Sequence, residues 1–164
     1  MRILIFNWKD VKHPYAGGAE VYMHEMARIW IEKGHEITWF CPKFHNSKSH
    51  EIIDKIKIYR YGGRFSVYIT APFYYLFKFR NKFDIIIDVE NGIPFFTPLF
   101  SKTKKFIVVL HVHKDVFFRE LPLPLAYFAY FLETKFMPFF YRDIKFITIS
   151  ENSANEMIKY GLTN

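Results

Sequence analysis

The sequence predicts an α/β fold: a Rossmann-like, mostly parallel sheet with helices on both faces. Three observations predict it. Short apolar runs of strand length alternate with longer stretches of helical periodicity along the whole chain. Runs such as Ile3-Leu4-Ile5-Phe6 and Ile85-Ile86-Ile87 are continuously apolar, as strands covered on both faces are. A glycine pair, Gly17-Gly18, separates the first strand from the first helix, at the carboxyl edge where open α/β sheets bind ligands. The length, 164 residues, suits a single domain over 1–164, and 51% apolar residues supply its core.

The elements follow in order. A buried strand is expected over 2–7, and a loop over 8–16 holds Asp10, His13 and Pro14. A helix is expected over 18–32, because Ala19, Met23, Met26, Ala27 and Trp30 recur on one face. Lys33-Gly34 ends it with a cation and a glycine. The second strand covers 35–41 and stops at Pro42. Residues 43–50 read as a polar connection, and 55–61 as a short strand whose mixed charge suits a sheet edge. Gly62-Gly63 is a turn before an aromatic helix over 65–79 that Pro72 disturbs. Further strands are expected over 83–89, 105–110 and 144–149. Between them lie a short helical piece over 94–100, a charged loop over 114–121 and a long aromatic helix over 124–141, kinked at Pro138. Ser150 is positioned to cap a last helix that Gly161 stops.

Composition narrows the function. A net charge of +7 favours anionic partners: nucleic acid, sugar nucleotides or an acidic membrane surface. Nucleic acid is disfavoured, because the basic residues are dispersed and no nucleic-acid module is recognisable. One cysteine, Cys41, forms no internal disulfide and fits a reducing, cytoplasmic compartment. The start of the chain does not read as a signal peptide, and no apolar run reaches the ~18 residues of a membrane span. The aromatic stretch 121–141, with Lys135 and Arg142 close by, reads either as a core helix or as a helix lying at a bilayer interface.

Several constellations could carry chemistry. Gly17 and Gly18 either serve the φ angles of a turn or let a phosphate reach the N–H groups of the first helical turn. The spacing lacks the third glycine of the dinucleotide fingerprint, and no Gly-Lys-Ser/Thr follows as in a P-loop. The loops after the strands, around 7–18, 90–94, 111–120 and Ser150-Glu151, would share one edge of a parallel sheet and line one crevice. His111 and His113 would face the same way on a continuing strand, or else are ordinary loop histidines. No metal-ligand spacing repeats beside them, and no G-x-S-x-G elbow supports a serine hydrolase. Asp88 and Glu90 read either as paired carboxylates or, more simply, as a strand end facing solvent.

Gly17-Gly18-Ala19-Glu20, then a helix, then Lys33-Gly34-His35-Glu36-Ile37-Thr38, resembles the start of a family 4 glycosyltransferase of the GT-B fold. Phe83-Asp84-Ile85-Ile86-Ile87, Asn91-Gly92-Ile93-Pro94, His111-Val112-His113-Lys114-Asp115 and Thr148-Ile149-Ser150-Glu151 resemble later landmarks of the same lobe, in the same order. The resemblance implies a retaining transfer of a sugar from a nucleotide-sugar donor to an acceptor, between two Rossmann-like lobes. It implies that this is the acceptor-side lobe, with Gly17 and Gly18 beside the donor phosphates. His111 first, and His113 second, would contact the donor sugar at the catalytic centre. Glu20, Asn91, Ser150 and Glu151 would line the substrate site. No cofactor and no metal ion are implied for the chemistry. The donor-binding lobe, with its E-x7-E carboxylates, is absent from these residues, so the chain alone is expected to be inactive. A glycan or lipid-linked acceptor at the inner face of a membrane is one expectation. The alternatives are a non-catalytic lobe that docks on a partner lobe or a membrane, and an unrelated nucleotide-binding domain.

Overall fold

A computed structural model describes residues 1–110, 112–113, 116–159 and 161. Its seven strands are β1 (Arg2–Phe6), β2 (Glu36–Cys41), β3 (His50–Ile53), β4 (Ile56–Arg60), β5 (Ile85–Glu90), β6 (Lys105–Val109) and β7 (Lys145–Ile147). They form one sheet in the order β3-β4-β2-β1-β5-β6-β7, parallel throughout except for β3. β1 is therefore central. The chain builds outward from it on one side, then returns and builds outward on the other. The reversal lies between β1 and β5, whose carboxyl ends diverge to leave a crevice.

The helices are α1 (Gly18–Glu32), α2 (Val67–Tyr74), α3 (Phe117–Glu120), α4 (Leu123–Phe131), α5 (Met137–Tyr141) and α6 (Glu151–Lys159). Successive strand residues point to opposite faces. Ile3, Ile5, Ile37, Trp39 and Val89 pack beneath Met23 and Ala27 of α1. Leu4, Phe6, Phe40 and Ile86 pack beneath Val67 and Ala71 of α2. Ile107 and Val109 meet Met137 and Tyr141 of α5 and Met157 of α6. Both faces are covered, so the central strands β1, β2 and β5 bury almost every side chain, and the expected α/β architecture holds.

Two expectations on the β3–β4 side are corrected. Residues 55–61 do not form the edge: β4 lies inside the sheet, and the antiparallel β3, beginning at His50, covers it. The hairpin turn between them is Asp54-Lys55, both in the left-handed region at φ 48° and 68°. Aspartate is usual at the first position but glycine at the second, where Lys55 stands, so the turn carried little sequence signal.

Pro72 lies inside α2, and a π turn over Tyr75–Phe79 follows. The second aromatic helix breaks before its proline rather than at it. A π turn over Leu132–Phe136 separates α4 from α5, and Pro138 sits in the first turn of α5. The inner side of this helix buries Ala126, Ala129, Met137 and Tyr141, while Tyr127, Phe128, Phe131 and Phe139 are exposed. The core reading describes the inner side of it. Among the described residues no helix is long and apolar enough to cross a membrane.

Two buried networks fix the loops. Arg60 of β4 pairs with Asp10 through Nε–Oδ2 at 2.6 Å and Nη2–Oδ1 at 3.1 Å. Its other amino group reaches Glu51 Oε2 at 2.9 Å. Burial raises the Asp10 carboxyl, but hydrogen bonds from Arg60 and the Lys12 N–H outweigh it and hold the group below its usual range. On the other side, Asp88 accepts from Phe95 N at 3.0 Å, Thr97 Oγ1 at 2.8 Å and the Tyr141 hydroxyl. Burial nevertheless keeps its pKa raised.

Asp10→Asn is expected to cost ~3–5 kcal/mol in urea unfolding, because it leaves a buried guanidinium without its main counter-charge. The depressed Asp10 pKa contributes stability that is complete above the ordinary carboxylate range and lost as pH falls below that range through the lowered folded pKa. That part of the acid-side decline should vanish in the variant. Tyr141→Phe is expected to cost ~1–3 kcal/mol by removing a donor from buried Asp88, read by the same unfolding measurement.

Candidate functional site

The crevice between β1 and β5 holds a cleft of about 210 Å³. Several parts of the chain build it, Phe117 of α3 among them. The loop after β1 supplies Trp8 and Lys9, and the entry to α2 supplies Arg64, Phe65 and Tyr68. The ends of β5 and β6 supply Asn91, Gly92 and His113. A second cleft of about 350 Å³ shares Trp8, Lys9 and Arg64 and adds His13 and Lys43. The common wall is an aromatic platform flanked by cations. Lys9 Nζ lies 5.3 Å, and Arg64 Cζ 5.5 Å, from the Trp8 ring centre. Trp8 Nε1 donates to the Arg64 carbonyl at 3.2 Å, which fixes the indole edge. The Asp10–Arg60 pair anchors the loop that carries Trp8 and Lys9.

The glycine turn lies beside this crevice. Gly17 has φ −122° and Gly18 is not among the glycines of positive φ, so the backbone does not require glycine at either position. A Cβ at Gly18 would meet nothing within 4 Å. The surface over the first turn of α1 is thus left bare. Glu20, fully buried, accepts from Gly17 N at 2.7 Å with one oxygen and from Asn91 Nδ2 at 2.8 Å with the other. It caps the helix from position N3 and ties the β1–α1 turn to the end of β5. Glu20 therefore positions the turn and Asn91, and Asn91 is the partner that lines the cleft.

His113 lines the cleft with its ring stacked on Phe117 at 5.6 Å between centres and 20° between planes. Gly92, at φ 101°, lies against both: an added Cβ would come within 3.3 Å of Phe117 and 3.7 Å of the His113 ring. Here glycine is required by both conformation and space. His111 lies outside the described residues. Ser150 and Glu151 are exposed and do not line the cleft; Ser150 Oγ accepts from Ser153 N at 3.1 Å, the expected cap. Ser153 Oγ in turn donates to the Leu110 carbonyl at 3.2 Å, joining α6 to the end of β6.

The solvent-facing reading of Asp88 and Glu90 is corrected: both are buried, 0% and 1% exposed. Glu90 Oε1 accepts from Gly92 N at 2.6 Å and lies 3.8 Å from His113 Nδ1. Burial first, then the charges of Glu133 and Asp88, push the Glu90 carboxyl well above its usual range. Glu133, in the second π turn, is also fully buried, and its Oε1 accepts from His113 N at 2.8 Å. Glu90, His113 and Glu133 present ligand-type atoms all within 4.8 Å of one another. Trp8, Arg64 and Glu133 carried no motif; only the topology brings them to the histidine.

Comparison with protein-family models matches residues 16–164 to Glycosyltransferase Family 4. No curated protein matches the chain significantly. The matched span opens beside the glycine turn and takes in α1, β2 to β7 and the crevice residues Asn91 and His113. With its central β1, its reversal of strand order and its covered parallel sheet, this chain belongs to glycosyltransferase family 4 and is the Rossmann-like N-terminal lobe of a GT-B fold.

Proposed function

We propose that this lobe holds the acceptor in a retaining transfer of a sugar from a nucleotide-sugar donor, completed by a separate donor-binding lobe. The observation that carries the reading is the cleft at the strand-order reversal, where Asn91 and His113 meet a tryptophan flanked by Lys9 and Arg64. A tryptophan face suits the apolar side of a sugar ring, and the cations suit a phosphate on the acceptor. The bare first turn of α1 lies beside the same crevice. Its N–H groups beyond Gly17 favour the donor's phosphates. Leaving-group charge is then stabilised by fixed protein donors, without a metal ion taking part in the transfer. In this reading His113 contacts the donor sugar, and Asn91 orients it. His111 is the other candidate for the sugar contact.

The acceptor is lipid-linked in this reading, and the lobe works at the cytoplasmic face of an anionic membrane. The exposed Tyr127, Phe128, Phe131 and Phe139 support it, because aromatic side chains beside basic residues suit the bilayer interface. The +7 charge adds an attraction that salt screens.

The test uses this lobe joined to its donor-binding lobe, with a panel of nucleotide sugars and lipid extracts as acceptors. Turnover is expected with one nucleotide sugar, falling ~100-fold or more in His113→Ala. An Arg64→Ala change should raise the acceptor KM without a matching loss of kcat. Absence of transfer from every nucleotide sugar would overturn the catalytic reading and favour a docking module. Vesicles containing anionic lipid should retain the protein at low salt and release the Phe128→Ser/Phe131→Ser variant. Equal retention of both would remove the membrane from the proposal.

A further inference from the structure

We propose that the second cleft, the one that shares Trp8 with the first, binds a phosphate monoester group carried by the acceptor. Assigning the phosphate to an acceptor rests on the transferase reading; the binding of the phosphate does not. Lys9, Lys43 and Arg64 line this cleft of about 350 Å³, and no carboxylate among the described residues does. Acids of the neighbouring elements are already engaged: Asp10 and Glu51 by Arg60, and Glu20 by Gly17 N and Asn91. None of the three cations forms an ion pair among the described residues. Lys43 Nζ lies 6.0 Å from the Tyr61 ring centre, and Arg64 Cζ 5.5 Å from that of Trp8 and 5.3 Å from that of Phe65. Such ring contacts hold a cation without neutralising it. Lys9 Nζ gives one proton to the Tyr15 carbonyl at 2.9 Å and keeps its charge. A cleft lined by charge of one sign concentrates a positive potential that an anion relieves.

His13 adds a donor to the same cleft. Its Nδ1 accepts from Tyr15 N at 3.1 Å, so the neutral ring carries its proton on Nε2. Burial first, then the Lys9 charge, lower its pKa against the opposing pull of Asp10 and Glu20. A carboxylate would bring one charge and two oxygens to these groups. A phosphate monoester brings a charge of about −1.5 to −2 and three acceptor oxygens, and so answers more of them. Trp8, Lys9 and Arg64 line both clefts, so a phosphate in the second leaves the rest of its molecule a path across the indole into the first. Tyr15, 80% exposed, offers that molecule a second ring. Lys43 and His13 thereby select the acceptor without touching the reacting atoms.

The test titrates the purified chain calorimetrically, at low salt, with inorganic phosphate, methyl phosphate, dimethyl phosphate and acetate. Phosphate and methyl phosphate are expected to saturate one site, at least ~10-fold more tightly than the singly charged dimethyl phosphate and acetate. Lys43→Glu and His13→Ala should each weaken phosphate binding by at least ~5-fold, with circular dichroism unchanged. Should His13→Ala misfold, Lys43→Glu decides alone, because Lys43 is exposed. Lys102→Glu, the same charge change outside the cleft, should weaken binding less than ~2-fold. Vesicles separate the two sources of such a group. Retention on phosphatidic acid above phosphatidylglycerol, lost in Lys43→Glu, assigns a lipid-borne monoester; phosphate binding without that preference assigns a soluble sugar phosphate. No saturable binding of phosphate would overturn the proposal. Dimethyl phosphate binding as tightly as methyl phosphate would overturn the monoester. Equal loss in Lys43→Glu and Lys102→Glu, or no loss in either cleft variant, would overturn the site, by reducing it to net charge or by locating the anion elsewhere. Saturable phosphate binding by a protein that transfers no sugar would keep the site and remove only its assignment to an acceptor.

Discussion

The site depends on a buried charge pair outside it. Asp10 and Arg60 are almost fully buried, with side chains 2% and 1% exposed. Removing two charges from water is costly, and only good geometry with further hydrogen bonds offsets it. Here the guanidinium takes both Asp10 oxygens, Glu51 and the Lys48 carbonyl, while Asp10 also accepts from Lys12 N. The pair joins the loop after β1 to β4, three strands' width of sheet including β2. With the packing of Trp8 against the core beneath α2, it holds the loop that walls the cleft.

Much of the architecture was legible because a doubly covered parallel sheet favours continuous apolar runs in its central strands. Ile3 to Phe6 and Ile85 to Ile87 could hardly be anything else. The ends of α1 were legible too, since glycine and acid at one end and Lys33-Gly34 at the other are local chemistry. The β3 hairpin escaped because its turn puts Lys55 at positive φ where glycine is favoured. The buried Asp88 and Glu90 escaped for a different reason. A carboxylate at a strand end normally seeks water, and nothing local announces the donors from Thr97 and Tyr141 that keep Asp88 inside.

The glycine turn divides its work between two residues in a way no motif expresses. Glu20 occupies the Gly17 N–H and holds Asn91, so the acid of the turn acts inward. Gly18 faces open space, so the outward part is bare backbone. Helix capping and ligand approach would otherwise compete for the same few N–H groups. Here one position satisfies the fold and the next leaves the surface clear.

The π turn at Leu132–Phe136 sets how Glu133 meets His113. Such a turn accommodates one residue more than an α-helix needs over the same rise. Losing a single residue between 132 and 136 would let α4 and α5 merge into one regular helix. α4 and α5 could keep their places, because the bulge adds no rise, but the residues left within the turn would be rephased. Glu133 and the Met137–Tyr141 segment could not both keep their inward positions. This stretch of helix is therefore intolerant of changes in length, even where its exposed side chains tolerate changes in kind.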